Sequence, residues 1–238
     1  MGENDGTVET LRKKFLGICP SYDTLLYPGG FRDSGLAVAS SVFSIQAKDS
    51  AVRSVVDRFA QRQGIEVAAL GGLDPEPDAY PVAQLAEDLE GLTETDLTDI
   101  FGNRSKSASA DRTKASLVQE VAANLVEVGQ VSSRDDVAMS PSGEQYERQK
   151  KAWTGVRGLG FVTFEYFRLL CGAETAKPDM MIHRWLDGAL GRQVDNRTAL
   201  EMIRELADEL GREWDVEVSP RAVDHTIWFH ASGRAESA

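Results

Sequence analysis

The chain has 238 residues, 42% of them hydrophobic and 27% charged, with a formal net charge of −12. That composition belongs to a globular protein long enough for a substantial core, in one domain or two small lobes. No apolar run reaches the length of a membrane span, and the two cysteines, Cys19 and Cys171, cannot supply a four-ligand zinc or iron–sulfur site.

Helical periodicity runs through nearly the whole chain, so the expected class is all-α. Val8, Leu11 and Phe15 begin a short amphipathic helix, and Asp33-Ser34 caps a second that continues to about Ala47. Asp49 or Ser50 caps a third, where Val52, Val55, Val56 and Phe59 share one face. Gly64, Gly71-Gly72, Pro75, Pro77 and Pro81 make residues 63–82 a loop excursion. Helices are expected at 82–91, 94–101 and 113–128, the last stopping at Gly129, then at 134–138 and 143–153. A helix over 160–171 ends at Gly172, and Pro178 starts another over 179–190. Asn196 caps a helix over 197–210 that Gly211 ends, and Ser219-Pro220 opens the last one before a flexible tail at 233–238. Val216-Glu217-Val218 is the single strand-like piece.

Charge is unevenly distributed. Residues 74–99 hold nine acids and no Lys or Arg, whereas 148–184 carries a balance of +4 and 103–115 a balance of +3. A phosphate backbone responds to the field of one face rather than to the total, so the two basic stretches matter more than the −12. Ser105, Lys106, Ser107 and Ser109 make the second a small basic loop, suited to backbone contacts or to a plain surface role.

The segment Gly155-Val156-Arg157-Gly158-Leu159-Gly160 places a glycine turn between two helices. Glycine permits positive φ and removes side chains, so backbone N–H groups at the start of the next helix can approach a phosphate. Such a turn holds a nucleic-acid backbone without reading bases. The same pattern also serves as an ordinary helix–helix turn.

Gly158 to Thr163, followed by Lys177-Pro178-Asp179-Met180-Met181-Ile182-His183-Arg184, resembles the hairpin-plus-aspartate signature of the helix-hairpin-helix (HhH-GPD) DNA glycosylase superfamily, endonuclease III-like group. Nineteen positions separate Gly160 from Asp179. Upstream, Val42-Phe43-Ser44-Ile45-Gln46-Ala47-Lys48-Asp49 resembles that group's Leu-Ser-x-Gln-(Ala/Thr)-x-Asp segment. The likeness covers roughly residues 36–190. It implies two helical lobes with a DNA-binding cleft between them and the hairpin motif at 143–171. It implies Asp179 as the catalytic carboxylate and Gln46 as the residue that fills the duplex where a nucleotide has been flipped out. Arg157, Gly158, Gly160, Val162, Lys177 and Arg184 would contact DNA, while Met180, His183 and Tyr166 would line a base pocket.

The position at which bifunctional members carry a Schiff-base lysine is Val162, so the resemblance implies a monofunctional enzyme that leaves an abasic site. The four-cysteine cluster loop is missing, so no cofactor or metal is expected beyond a monovalent cation at the hairpin. The expected partner is double-stranded DNA, with no membrane, and the expected state a monomer. The acidic N-terminus lacks the features of a signal peptide, which sets the expectation of a cytoplasmic location. A phage-defence branch acting on modified, for example glucosylated, cytosine fits as well as a repair branch.

Two other classes stay open: a non-catalytic DNA-binding helix-hairpin-helix protein, and a helical protein-interaction domain, which the acidic total favours. Asp224, on the last helix, is a second candidate acid or a buried helix cap. The expected organisation is one lobe from 1–34 and 191–238, with part of 130–158, around a helical core at 35–190.

Overall fold

The computed structural model describes residues 3–68 and 77–233. Positions 69–76 of the expected loop and 234–238 of the expected tail therefore lie outside the described residues. The described chain is helical almost throughout, as the periodicity predicts, and contains one two-residue β-ladder. By its contacts it divides into two compact units, Gly29–Ala173 and a second made of Met1–Pro28 with Glu174–Ala238.

The larger unit is built around α2 (Ser34–Phe43), every residue of which is buried. A helix buried all round needs small residues where neighbours cross it, and Gly35, Ala37, Ala39, Ser40 and Ser41 supply them. At Gly35 a Cβ would lie 2.7 Å from the Tyr80 ring. Helices α3 (Asp49–Gln63), α4 (Val82–Leu89), α6 (Lys114–Glu127) and α9 (Phe161–Leu170) all pack on α2. α5 (Glu94–Phe101) packs on α3 and α6, α7 (Arg134–Ala138) is a short connector, and α8 (Gly143–Thr154) joins α6 and α9. Phe59 stacks on Phe101 with centroids 4.5 Å apart, and Trp153 stacks on Phe167 at 4.9 Å.

Below that core, Glu165 and Arg168 are both fully buried and joined at 3.0 Å. Tyr146 Oη donates to Glu165 Oε1 at 2.8 Å, and Arg168 donates to the Ser140 carbonyl at 2.8 Å. The guanidinium sits 4.9 Å from the Tyr146 ring centre.

Three expectations are corrected here. α2 stops at Phe43 rather than near Ala47, because the Ser44–Gln46 turn follows and Gln46 takes φ +50°. The basic loop contains a β-ladder, β1 (Lys106–Ser107) with β2 (Arg112–Thr113), closed by Asp111 at φ +52°. Lys48 rather than Asp49 or Ser50 is the N-cap of α3.

The smaller unit comprises α1 (Glu3–Leu16), α10 (Met180–Leu190), α11 (Asn196–Trp214) and α12 (Pro220–Ala231). Leu11 and Phe15 of α1 are fully buried, and Phe15 meets Trp185 edge-on at 6.4 Å. α11 is capped by Asp195, not Asn196, and runs through Gly211 to end where Asp215 adopts φ +53°. Gly211 is a place of close approach instead of a stop: a Cβ there would sit 2.9 Å from the Val216 carbonyl, which folds back over it. Val216 N–H donates to the Gly211 carbonyl at 3.1 Å, and Val216–Val218 forms no strand.

Candidate functional site

The glycine turn joins α8 to α9 inside the larger unit. Gly158 has φ +105°, and a Cβ on it would lie 2.8 Å from Ala110 Cβ and 3.2 Å from Ser107 Oγ. Its glycine is therefore needed twice, for backbone conformation and for packing under the β1–β2 turn. Gly160 is different. It is the N-cap of α9 in extended conformation, and a side chain there would meet nothing within 4 Å among the described residues.

Thr163 does the capping that Gly160 cannot do for itself. Its hydroxyl accepts from Gly160 N–H at 3.1 Å and from Trp153 Nε1 at 2.9 Å, and donates to the Gly160 carbonyl at 2.8 Å. The N–H groups of Phe161 and Val162, in the first turn of α9, precede any helical acceptor and lie under the positive end of the helix. Arg157 is exposed beside them and Val162 is half-buried. Tyr166 is half-buried against the core of the same unit.

The Gln46 turn belongs to that unit too. Buried Lys114, 5% exposed, reaches from the start of α6 to donate to the Phe43 carbonyl at 3.1 Å and the Ile45 carbonyl at 2.5 Å. A cation at a helix C-terminus is favourable, although burial lowers the lysine's pKa. Ser44 Oγ donates to the Ser41 carbonyl at 2.7 Å, and Ser41 Oγ to the Thr163 carbonyl at 2.6 Å. Exposed Gln46 thus stands on a turn fixed from α6 and tied through α2 to the first turn of α9.

Asp179 lies in the smaller unit. It is the N-cap of α10, with Oδ1 accepting from Met181 N–H at 2.8 Å and Ile182 N–H at 3.3 Å. Its side chain is 20% exposed, and Oδ2 stands 3.9 Å from Lys177 Nζ. Pro178 is the middle of a three-residue turn in which Asp179 N–H donates to the Lys177 carbonyl at 2.6 Å.

Among the other candidates in this unit, Met180 is 66% exposed and Arg184 is exposed. His183 Nε2 is 2.7 Å from Asn196 Oδ1, a contact that ties α10 to the first turn of α11. Met180 and His183 therefore share the smaller unit with Asp179, whereas Tyr166 belongs to the larger one.

Chemically, Asp179 offers a carboxylate whose Oδ1 is fixed by two amides at a helix start and whose Oδ2 stands 3.9 Å from Lys177 Nζ, an arrangement suited to a developing positive charge or to a water. Sequence patterns did not single out Lys114 or Thr163. A threonine three residues after a helix-opening glycine is a capping spacing that could have been read; Lys114 sits in an ordinary helical run and gives no local sign of its role.

Among the described residues, no cluster of three or more His, Cys, Asp or Glu is arranged to hold a metal. Cys19 and Cys171 are both buried and form no disulfide, and no described helix is long and apolar enough to cross a membrane.

Fold and site together define an all-helical protein with two differently capped helix starts, one per unit. A model described as "Domain of unknown function (DUF8548)" matches residues 20–232, and the chain belongs to that family. No curated protein matches it.

Proposed function

We propose that this protein is a monofunctional DNA N-glycosylase acting on double-stranded DNA. In this reading the start of α9, with Arg157, Gly158, Gly160 and Val162, holds a phosphate, with a monovalent cation at the turn. Gln46 enters the duplex as a nucleotide is flipped out. Asp179 stabilises the positive sugar as the N-glycosidic bond breaks, or activates the attacking water. Lys177 and Arg184 neutralise nearby phosphates, and Met180, His183 and Tyr166 face the base. The duplex is held in a DNA-binding cleft, the enzyme works as a cytoplasmic monomer, and its substrate is a damaged base or a phage-modified cytosine.

The observation that supports this most directly is the pairing of one helix start left free of acidic side chains with another that carries a carboxylate, since the reaction needs an anion held at one place and a cation at another. Incubation with a panel of damaged and phage-modified duplexes, followed by mass spectrometry of freed bases, tests it. Release of a base from at least one duplex is expected. Binding without release would leave a DNA-binding protein, and neither would leave the protein-interaction reading that the net charge of −12 favours.

A further inference from the structure

Asp224 lies on α12 with its side chain turned into the smaller unit, 7% exposed. Its Oδ1 accepts from the Lys177 N–H at 2.8 Å. Lys177 is the residue whose carbonyl receives the Asp179 N–H at 2.6 Å, and Asp179 in turn accepts from Met181 and Ile182. The four contacts form one relay, from α12 through the Pro178 turn to the first amides of α10.

We propose that Asp224 is a positioning residue for Asp179: its buried carboxyl grips the Lys177 amide and sets the turn that aims the Asp179 cap. The inference rests on Asp179 being the working carboxylate of the proposed reaction. Two features make Asp224 suited to this task. Being buried, it keeps a single acceptor geometry, and removing it takes its acceptor away from the Lys177 amide.

Asp224 also carries no competing charge at neutral pH. Burial, reinforced by the Asp179 charge and opposed by the Lys177 amide and side chain, pushes its pKa up to about 8. Asp224 then serves as a largely uncharged support for the turn. Asp179 and Lys177, both on the turn leading into α10, are the charged groups that act on it.

The deciding experiment is amide hydrogen exchange of Lys177 and Met181 in the wild type, Asp224→Asn and Asp224→Ala. Asn retains an acceptor oxygen, so protection at both amides is expected to stay near wild type; Ala is expected to lose protection by about tenfold or more at both. Unchanged Met181 protection in Asp224→Ala overturns the proposal, because the cap would then hold without its support. If Asp224→Ala does not fold, pH titration of the Met181 amide shift in the wild type and Asp224→Asn decides: an inflection near pH 8 that Asn abolishes supports it, and a flat wild-type curve overturns it.

On a duplex from which the wild type releases a base, Asp224→Ala is expected to lower kcat with DNA affinity unchanged, and Asp224→Asn to restore it. A wild-type kcat in Asp224→Ala removes the positioning role and leaves Asp179 in place. Absence of base release by the wild type on every duplex removes the glycosylase reading instead, and the exchange data still decide whether Asp224 holds the turn.

Discussion

Helix α9 begins at Gly160, which brings no side chain to its own first turn, whereas α10 begins at Asp179, whose carboxylate already accepts from Met181 and Ile182. At α9 the capping hydroxyl comes from Thr163, a neutral group, so the positive end of the helix keeps its attraction for an outside anion. At α10 the same positive end is answered by a built-in carboxylate, whose second oxygen already stands 3.9 Å from the Lys177 ammonium and so favours positive charge. Identical backbone physics gives opposite preferences, decided by one residue at each start.

Breaking the contrast at α10 gives the largest expected effect. Asp179→Asn keeps a good cap, so the fold should survive, but the charge is gone; base release should fall by roughly 10²–10³-fold or more, with DNA affinity retained. Single-turnover release measured beside melting temperature checks this, and a wild-type rate would remove Asp179 from the chemistry.

Next come the two glycines. Gly158→Ala meets both a positive φ and a 2.8 Å approach to Ala110, and should cost about 2–3 kcal/mol by chemical denaturation. Gly160→Ala has open space and should change stability by only ~1 kcal/mol while weakening DNA binding. Equal losses of stability at both would show that the turn is not split into a packed glycine and an open one.

A pH series sharpens the α10 side. The Asp224 carboxyl, ordinarily near 3.8, is raised to about 8 by burial in the fold, so between those values the native state binds more protons than the unfolded chain. Stability should therefore fall as pH rises through that window, by up to ~1.4 kcal/mol per unit, and flatten above it. Asp224→Asn should remove this slope, as read from denaturation midpoints between pH 5 and 9.

The smallest effects concern the supports of α9. Lys114→Met should cost about 1 kcal/mol and loosen the Gln46 turn, seen as faster exchange of the Ala47 amide. Arg157→Ala should lower the salt slope of DNA binding by about 0.9 with little change in stability.

How much of this could be read in advance depends on the distance over which each signal acts. Helix positions were legible because apolar spacing is local, and so were the glycine turn and the Pro178-Asp179 start, which carry their own punctuation. The end of α2 is not legible locally: Gln46 turns the chain at φ +50°, and the carbonyl of Phe43 is held by Lys114, 71 residues away. α11 was cut at Gly211 because a glycine needed for close approach looks the same in sequence as one that ends a helix. Asp224 drew notice as an acid, but its hold on Lys177 spans 47 residues and leaves no local pattern.

The Glu165–Arg168 pair has a consequence for how this chain can change over time. Removing either member alone strands the other charge in a dry interior, a step that typically costs 3–5 kcal/mol, whereas replacing both together with apolar groups is often neutral. Single-letter drift at those two positions is therefore blocked, and the base of α9 can be rewritten only by paired exchange.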